Sequence, residues 1–137
     1  MSSPRLDIEL SPGPLAEAGS PDPWAAGDTV RGWLRVDLPA DSRMRGISIE
    51  LKWQTEGRGT VDECVVGKVS WVETQLPASP PFELPFELHI PANGPVSYHG
   101  NLLSIVWTLR ANIDIPWAID VGESREITVL PRGAATH

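Results

Sequence analysis

Ser97, His99 and Asp114 are of the types that make a nucleophile, a general base and an orienting carboxylate. Such a set is defined by geometry that spacing alone does not supply, and no Gly-x-Ser-x-Gly elbow accompanies it, so catalysis is not expected. Glu83 and Glu87 fall on one face of a strand about 13 Å apart at ~3.3 Å per residue, too far for a paired acid and base, and read as a solvated face. His89, His99 and Cys64 show no His-x-x-x-His or Cys-x-x-Cys spacing; Cys64 reads as a buried or strand residue and His89 as a surface one. Asp114, Asp120 and Glu123 have the oxygen ligands a calcium ion takes, but acids at strand ends are common without one, and the sequence leaves that point open. No cofactor and no catalytic or metal-binding residue is expected.

Of the six tryptophans, Trp53 and Trp107 occupy inward phases of their strands and read as core. Trp33 takes the outward phase of its strand beside Arg31 and Arg35, while Trp24 and Trp117 stand in proline-containing loops. Large aromatics outside a core mark interfaces, because they cover much area with few rotamers lost. Trp24, Trp33, Arg31, Arg35 and Trp117 are therefore the candidate partner-binding residues. Cover by the long Ser11 to Asp28 loop, with Trp24 folding back onto Trp33, is the competing reading for Trp33.

The elements that must position these residues are short. Fourteen prolines and twelve glycines in 137 residues interrupt the chain too often for a helical domain, which needs several unbroken amphipathic runs of at least ten to twelve residues. Alternation of apolar and polar residues marks strands instead. The strongest examples are Leu103, Ile105, Trp107, Leu109, Ala111, Ile113 and Ile115, with Leu102 and Val106 as exceptions, and Phe82, Leu84, Phe86, Leu88 and Ile90. Pro85 on the outer side of the second marks an edge or bulged strand. Leu6 to Leu10, Val30 to Leu38, Ile47 to Trp53 and Ile127 to Val129 follow the same rule. Val65 to Thr74 is strand-like with an open choice of face: Val65, Val69 and Trp71 inward, or Val66 and Val72. About seven strands predict an all-β, antiparallel two-sheet β-sandwich of the immunoglobulin-like kind. Gly57-Arg58-Gly59 closes a hairpin. The loop from Ser11 to Asp28 is long enough to be functional or loosely ordered. Residues 1–131 form one domain and 132–137 a frayed tail.

The net charge of −7 comes with no basic cluster, which argues against nucleic acid and anionic membranes as partners. One cysteine excludes an intrachain disulfide, the charged start does not read as a signal peptide, and no run approaches the ~18 apolar residues of an integral membrane segment. The expected location is the cytoplasm.

The stretch from Pro81 to Trp117, with Pro-Phe-Glu-Leu-Pro-Phe-Glu-Leu-His-Ile-Pro, then Ser97-Tyr98-His99-Gly100, then Arg110-Ala111-Asn112-Ile113-Asp114-Ile115-Pro116-Trp117, resembles the second half of the arrestin N-terminal domain. Ala26 to Gly32 is similar to that family's turn followed by a strand with an interior glycine. The resemblance extends over nearly the whole chain and implies an arrestin-like sandwich. Its members include receptor-binding arrestins, trafficking adaptors, the arrestin-like subunit of retromer and bacterial sporulation-control proteins, all adaptors or scaffolds. It also gives Trp117 a second reading, as a plug beneath a loop. The sequence stops after one sandwich where the relatives continue, and it has no Pro-Pro-x-Tyr motif or basic phosphate-sensing cluster.

Together these features predict a non-enzymatic, cytoplasmic protein-interaction module that uses edge strands and aromatic-bearing loops. It either self-associates as a homo-oligomer or docks on a separate protein partner. The alternative is a small-ligand or carbohydrate-binding sandwich that stacks its ligand on Trp24, Trp33 or Trp117.

Overall fold

A computed structural model describes residues 4–39, 44–57, 62–77, 81–116 and 121–132. Among them are ten strands: β1 (Arg5–Leu10), β2 (Trp24–Ala25), β3 (Thr29–Asp37), β4 (Gly46–Gly57), β5 (Glu63–Val72), β6 (Phe82–His89), β7 (Tyr98–His99), β8 (Leu103–Asp114), β9 (Val121–Ile127) and β10 (Val129–Leu130). A single 3-10 turn, Glu73–Gln75, follows β5. The alternation decides which face each strand buries. In β3 the residues Val30, Leu34 and Val36 are buried while Arg31, Trp33, Arg35 and Asp37 are exposed, and in β6 Phe82, Leu84, Phe86 and Leu88 are buried while Glu83, Pro85, Glu87 and His89 are exposed.

Two principal sheets result. One has three antiparallel strands in the order β1-β3-β6; the other has β5-β4-β8, with β7 and β9 sharing the far edge of β8. Pro85 therefore lies on an edge strand, where its missing N–H breaks no ladder. The facing sides bury Val30, Leu34, Val36, Leu84 and Phe86 against Ile47, Ile49, Leu51, Trp107, Leu109 and Ile113. No polar or charged residue is buried as a whole among the described residues. Trp107 is fully buried and donates its indole N–H to the Pro95 carbonyl at 3.1 Å, while Trp53 is partly buried against the same core.

Several expectations are corrected. The two alternative faces of β5 are both incomplete, because Leu51 pairs with Gly67 and Lys52 with Val65, leaving Val66 as an extra residue in a bulge. The bulge switches the inward phase, so Val69 and Trp71 on one side of it and Val66 within it all pack toward the core, while Val65 and Val72 are exposed. The strand expected from Ile127 onward is split: Ile127 ends β9, which begins at Val121 and is held by pairing with Trp107 to Ile113 of β8, and Val129–Leu130 form β10 against β2. Tyr98–His99, within the Ser97 to Gly100 motif, form the short strand β7. Cys64 is exposed. Arg132, expected in the frayed tail, is anchored: its Nε donates to the Ala26 carbonyl at 2.8 Å and its Nη2 meets Asp28 Oδ1 at 2.7 Å. The remaining tail, 133–137, lies outside the described residues, as does Arg58-Gly59 of the hairpin.

Much of the Ser11 to Asp28 segment is tied down. Ser11 N–H donates to the Arg31 carbonyl at 2.9 Å and Gly13 N–H to the Pro21 carbonyl at 3.2 Å. Within the segment β2 pairs in parallel with β10, supported by Trp24 N–H to Thr128 O at 3.0 Å and Ala26 N–H to Leu130 O at 2.9 Å.

Candidate functional site

The outer face of the three-stranded sheet carries the candidate site. Register places Trp33 between Glu9 of β1 and Pro85 of β6, Arg35 between Asp7 and Glu83, and Arg31 opposite Glu87. On one side of Trp33, Arg31 Nε meets Glu87 Oε1 at 3.0 Å. On the other, Arg35 reaches Glu83 at 3.0 Å and, diagonally, Glu9 at 3.2 Å. The hydrogen bond that Arg35 donates to Glu83, then the charge of Glu9, hold the Arg35 guanidinium above its usual pKa, so it stays cationic at any working pH. These pairs are solvent-exposed and contribute little to stability, but they fix the side chains that frame the tryptophan.

Trp33 itself is 41% exposed. It borders an open groove of about 400 Å³ lined by Ser11, Arg31, Gly32, Trp33, Pro85, Phe86 and Glu87. A second groove, with Ser11 and Arg31 in common, runs on beneath the Pro12-Gly13-Pro14 turn. The result is an apolar notch between the Arg31–Glu87 pair and the Glu9–Arg35–Glu83 cluster, suited to an apolar side chain of a partner.

Of the five candidate residues, the structure brings Arg31, Trp33 and Arg35 together on this face. Trp24 is corrected: it is fully buried, with the Gly13 backbone so close that an added Cβ would lie 2.6 Å from its indole ring. It folds beneath the proline-rich turn and not onto Trp33, because β2 draws it inward to pair with β10. Trp117 lies outside the described residues. A stacking platform shared by Trp24 and Trp33 is thus not formed.

The other constellations are dispersed. Ser97 Oγ accepts the Val129 N–H at 2.8 Å, and His99 pairs in register with Ser104 near the start of β8, whereas Asp114 ends that strand, ten residues and about 33 Å away at ~3.3 Å per residue. Asp114 is engaged by Arg45 at 3.2 Å, and Asp120 lies outside the described residues. His89 is exposed, with Nδ1 3.5 Å from Thr29 Oγ1. No group of three metal-ligating side chains occurs among the described residues.

Residues 60–134, more than half of the chain, match the family model described as arrestin (or S-antigen), N-terminal domain. The chain belongs to the arrestin family. The match includes the whole Pro81 to Trp117 stretch on which the resemblance rests. Among solved structures, the arrestin-like sandwich is similar to Spo0M, a sporulation control protein from Bacillus subtilis, with a TM-score of 0.66 and 15% identity, covering 94% of this chain and 50% of that one. The chain thus spans half the length of that relative, and at this identity the likeness carries the fold. No curated protein matches the chain. Arrestin-like proteins are generally non-enzymatic and act by binding other proteins. Among the described residues, no helix is long and apolar enough to cross a membrane.

Sequence reasoning did not single out Arg125, the Asp28–Arg132 pair or the exposed Tyr98. Leu102 carried a signal, as an exception to the alternation of its strand, whereas Leu103, expected on the inward phase, is corrected: at the mouth of β8 it is 44% exposed.

Proposed function

We propose that this arrestin-family sandwich is a non-enzymatic, cytoplasmic adaptor module whose partner docks on the outer face of the three-stranded sheet. The observation that carries the reading is Trp33, an exposed aromatic beside Pro85 and an apolar groove, held between the Arg31–Glu87 and Glu9–Arg35–Glu83 pairs. Rigid aromatic anchors framed by satisfied polar groups supply most of the energy at protein interfaces. The frame contributes orientation, since its carboxylates and guanidinia are already paired and need not be desolvated alone.

Affinity capture from the native host with the wild type and with Trp33→Ala tests this. Loss of the principal partner in the variant, with an unchanged thermal melt, is the expected result. Equal recovery removes Trp33 from the interface and the proposal with it.

A further inference from the structure

Among the described residues, an apolar protrusion and an apolar recess stand out. The protrusion is the turn between β7 and β8, where Tyr98 is 55%, Leu102 77% and Leu103 44% exposed. A lone exposed leucine is ordinary, but three large apolar side chains on one turn are not. The turn is also ordered: Gly100 N–H donates to the Leu103 carbonyl at 2.9 Å, and the Tyr98 ring lies so close to Gly100 that a Cβ there would come within 2.6 Å of it. The stretch from Tyr98 to Leu103 carries no Asp, Glu, Lys or Arg. The recess is the groove of about 400 Å³ beside Trp33 and Pro85, roomy enough for a leucine side chain.

We infer that the Tyr98-Leu102-Leu103 turn of one copy inserts into the Trp33-Pro85 groove of a second copy, so that the chain associates head to tail. Charge supports this occupant. The rim cations Arg31 and Arg35 are already matched by Glu87, Glu83 and Glu9, so an uncharged apolar insert leaves no ion unpaired, whereas a charged segment would have to compete with those pairs. A lipid bilayer would account for the turn and leave the groove unexplained; a second copy accounts for both. Because the two surfaces differ, one-way insertion leaves a free turn and a free groove at the ends and builds a ring or an open chain, whereas reciprocal insertion closes a two-fold dimer. Its small area makes it weak and concentration-dependent. The inference rests on the reading of the Trp33 groove as a docking site and names its occupant.

Sedimentation of complementary variants decides it. The wild type is expected to grow in mass with concentration, to a dimer where insertion is reciprocal and beyond it where insertion is one-way. Leu102→Asp, which spoils the insert, and Trp33→Ala, which spoils the groove, each weaken association about tenfold or more, the effect of removing one anchor. Their equimolar mixture recovers a one-to-one complex, since each variant retains the half that the other lacks. Thermal melts of both variants establish that they are folded. A wild type that stays monomeric, single variants that still assemble, or a mixture that stays monomeric overturns the inference. So does binding to phosphatidylcholine vesicles that Leu102→Asp abolishes, with no self-association. If self-association fails while Trp33→Ala alone loses a host partner, the adaptor reading stands and this inference falls. If Trp33→Ala changes neither, both fall.

Discussion

Arg125 on β9 donates from Nη1 to the Ile8 carbonyl of β1 at 3.1 Å, crossing from the larger sheet to the smaller. Both strands lie at the edges of their sheets, so the guanidinium closes one side of the sandwich and satisfies a carbonyl that has no neighbouring strand. A hydrogen bond from a charged group is worth about 1.5–3 kcal/mol net. Arg125→Met keeps most of the stem and removes the donor. Urea unfolding should show a loss of about 1–3 kcal/mol; a midpoint equal to the wild type would mean that the bond adds nothing to the closure.

The buried indole of Trp107 makes a comparable link within the core. Its N–H reaches the carbonyl of Pro95, in the segment that leads to β7. Trp107→Phe removes the donor and some volume together, and the expected cost is about 2–4 kcal/mol, part cavity and part unsatisfied carbonyl. Calorimetry of the folded variant measures it, and a loss below about 1 kcal/mol would show that the site relaxes around the smaller ring.

The strands with clean alternation, β3, β6 and most of β8, were legible because one face meets the core and the other meets water, so period two is written directly into residue type. Trp33 was legible for the same reason. The phase of β5 was not, because a single extra residue at Val66 reverses it, and the local mark of the bulge, a glycine inside a strand at Gly67, does not say which residue is extra. The start of β9, Val121-Gly-Glu-Ser-Arg, is mostly polar and is fixed by backbone pairing to β8, which sequence pattern does not report. Trp24 sits next to Pro23 and reads as loop, yet a two-residue parallel pairing with β10 buries it completely. Arg125 carries no local signal, since the carbonyl it caps is 117 positions away in sequence.

Asp28 and Arg132 form the shortest ion pair among the described residues, 2.7 Å, but unequally: the Asp28 side chain is 9% exposed and that of Arg132 60%. Asp28 also accepts the Ala25 N–H at 2.9 Å. Asp28→Asn should therefore cost more, about 1–2 kcal/mol, than Arg132→Ala, below about 1 kcal/mol, because the aspartate supports the backbone of β2 as well as the pair. The double-mutant cycle should give a coupling under about 1 kcal/mol, as befits a pair with one solvated partner. A larger penalty for Arg132→Ala would instead place the main contribution in its bond to the Ala26 carbonyl.

Gly32 interrupts the run of large inward residues on β3, and close approach is the reason. A Cβ there would collide with the Glu9 backbone oxygen and come within 3.1 Å of the Phe86 ring, so β1 lies against β3 at a distance only hydrogen allows. A backbone oxygen in a paired strand cannot rotate away, which makes Gly32→Ala an overpacking change of the costly kind, about 2–3 kcal/mol or more. Gly67 provides the contrast: its added Cβ would meet only the Leu88 Cδ2 at 3.3 Å, the end of a flexible side chain, and Gly67→Ala should fall within about 1 kcal/mol of the wild type. Parallel chemical denaturation of the two variants separates the cases. Equal losses would show that β1 can shift away from Gly32, and then the groove beside Trp33, which Gly32 also lines, would be adjustable and not preformed.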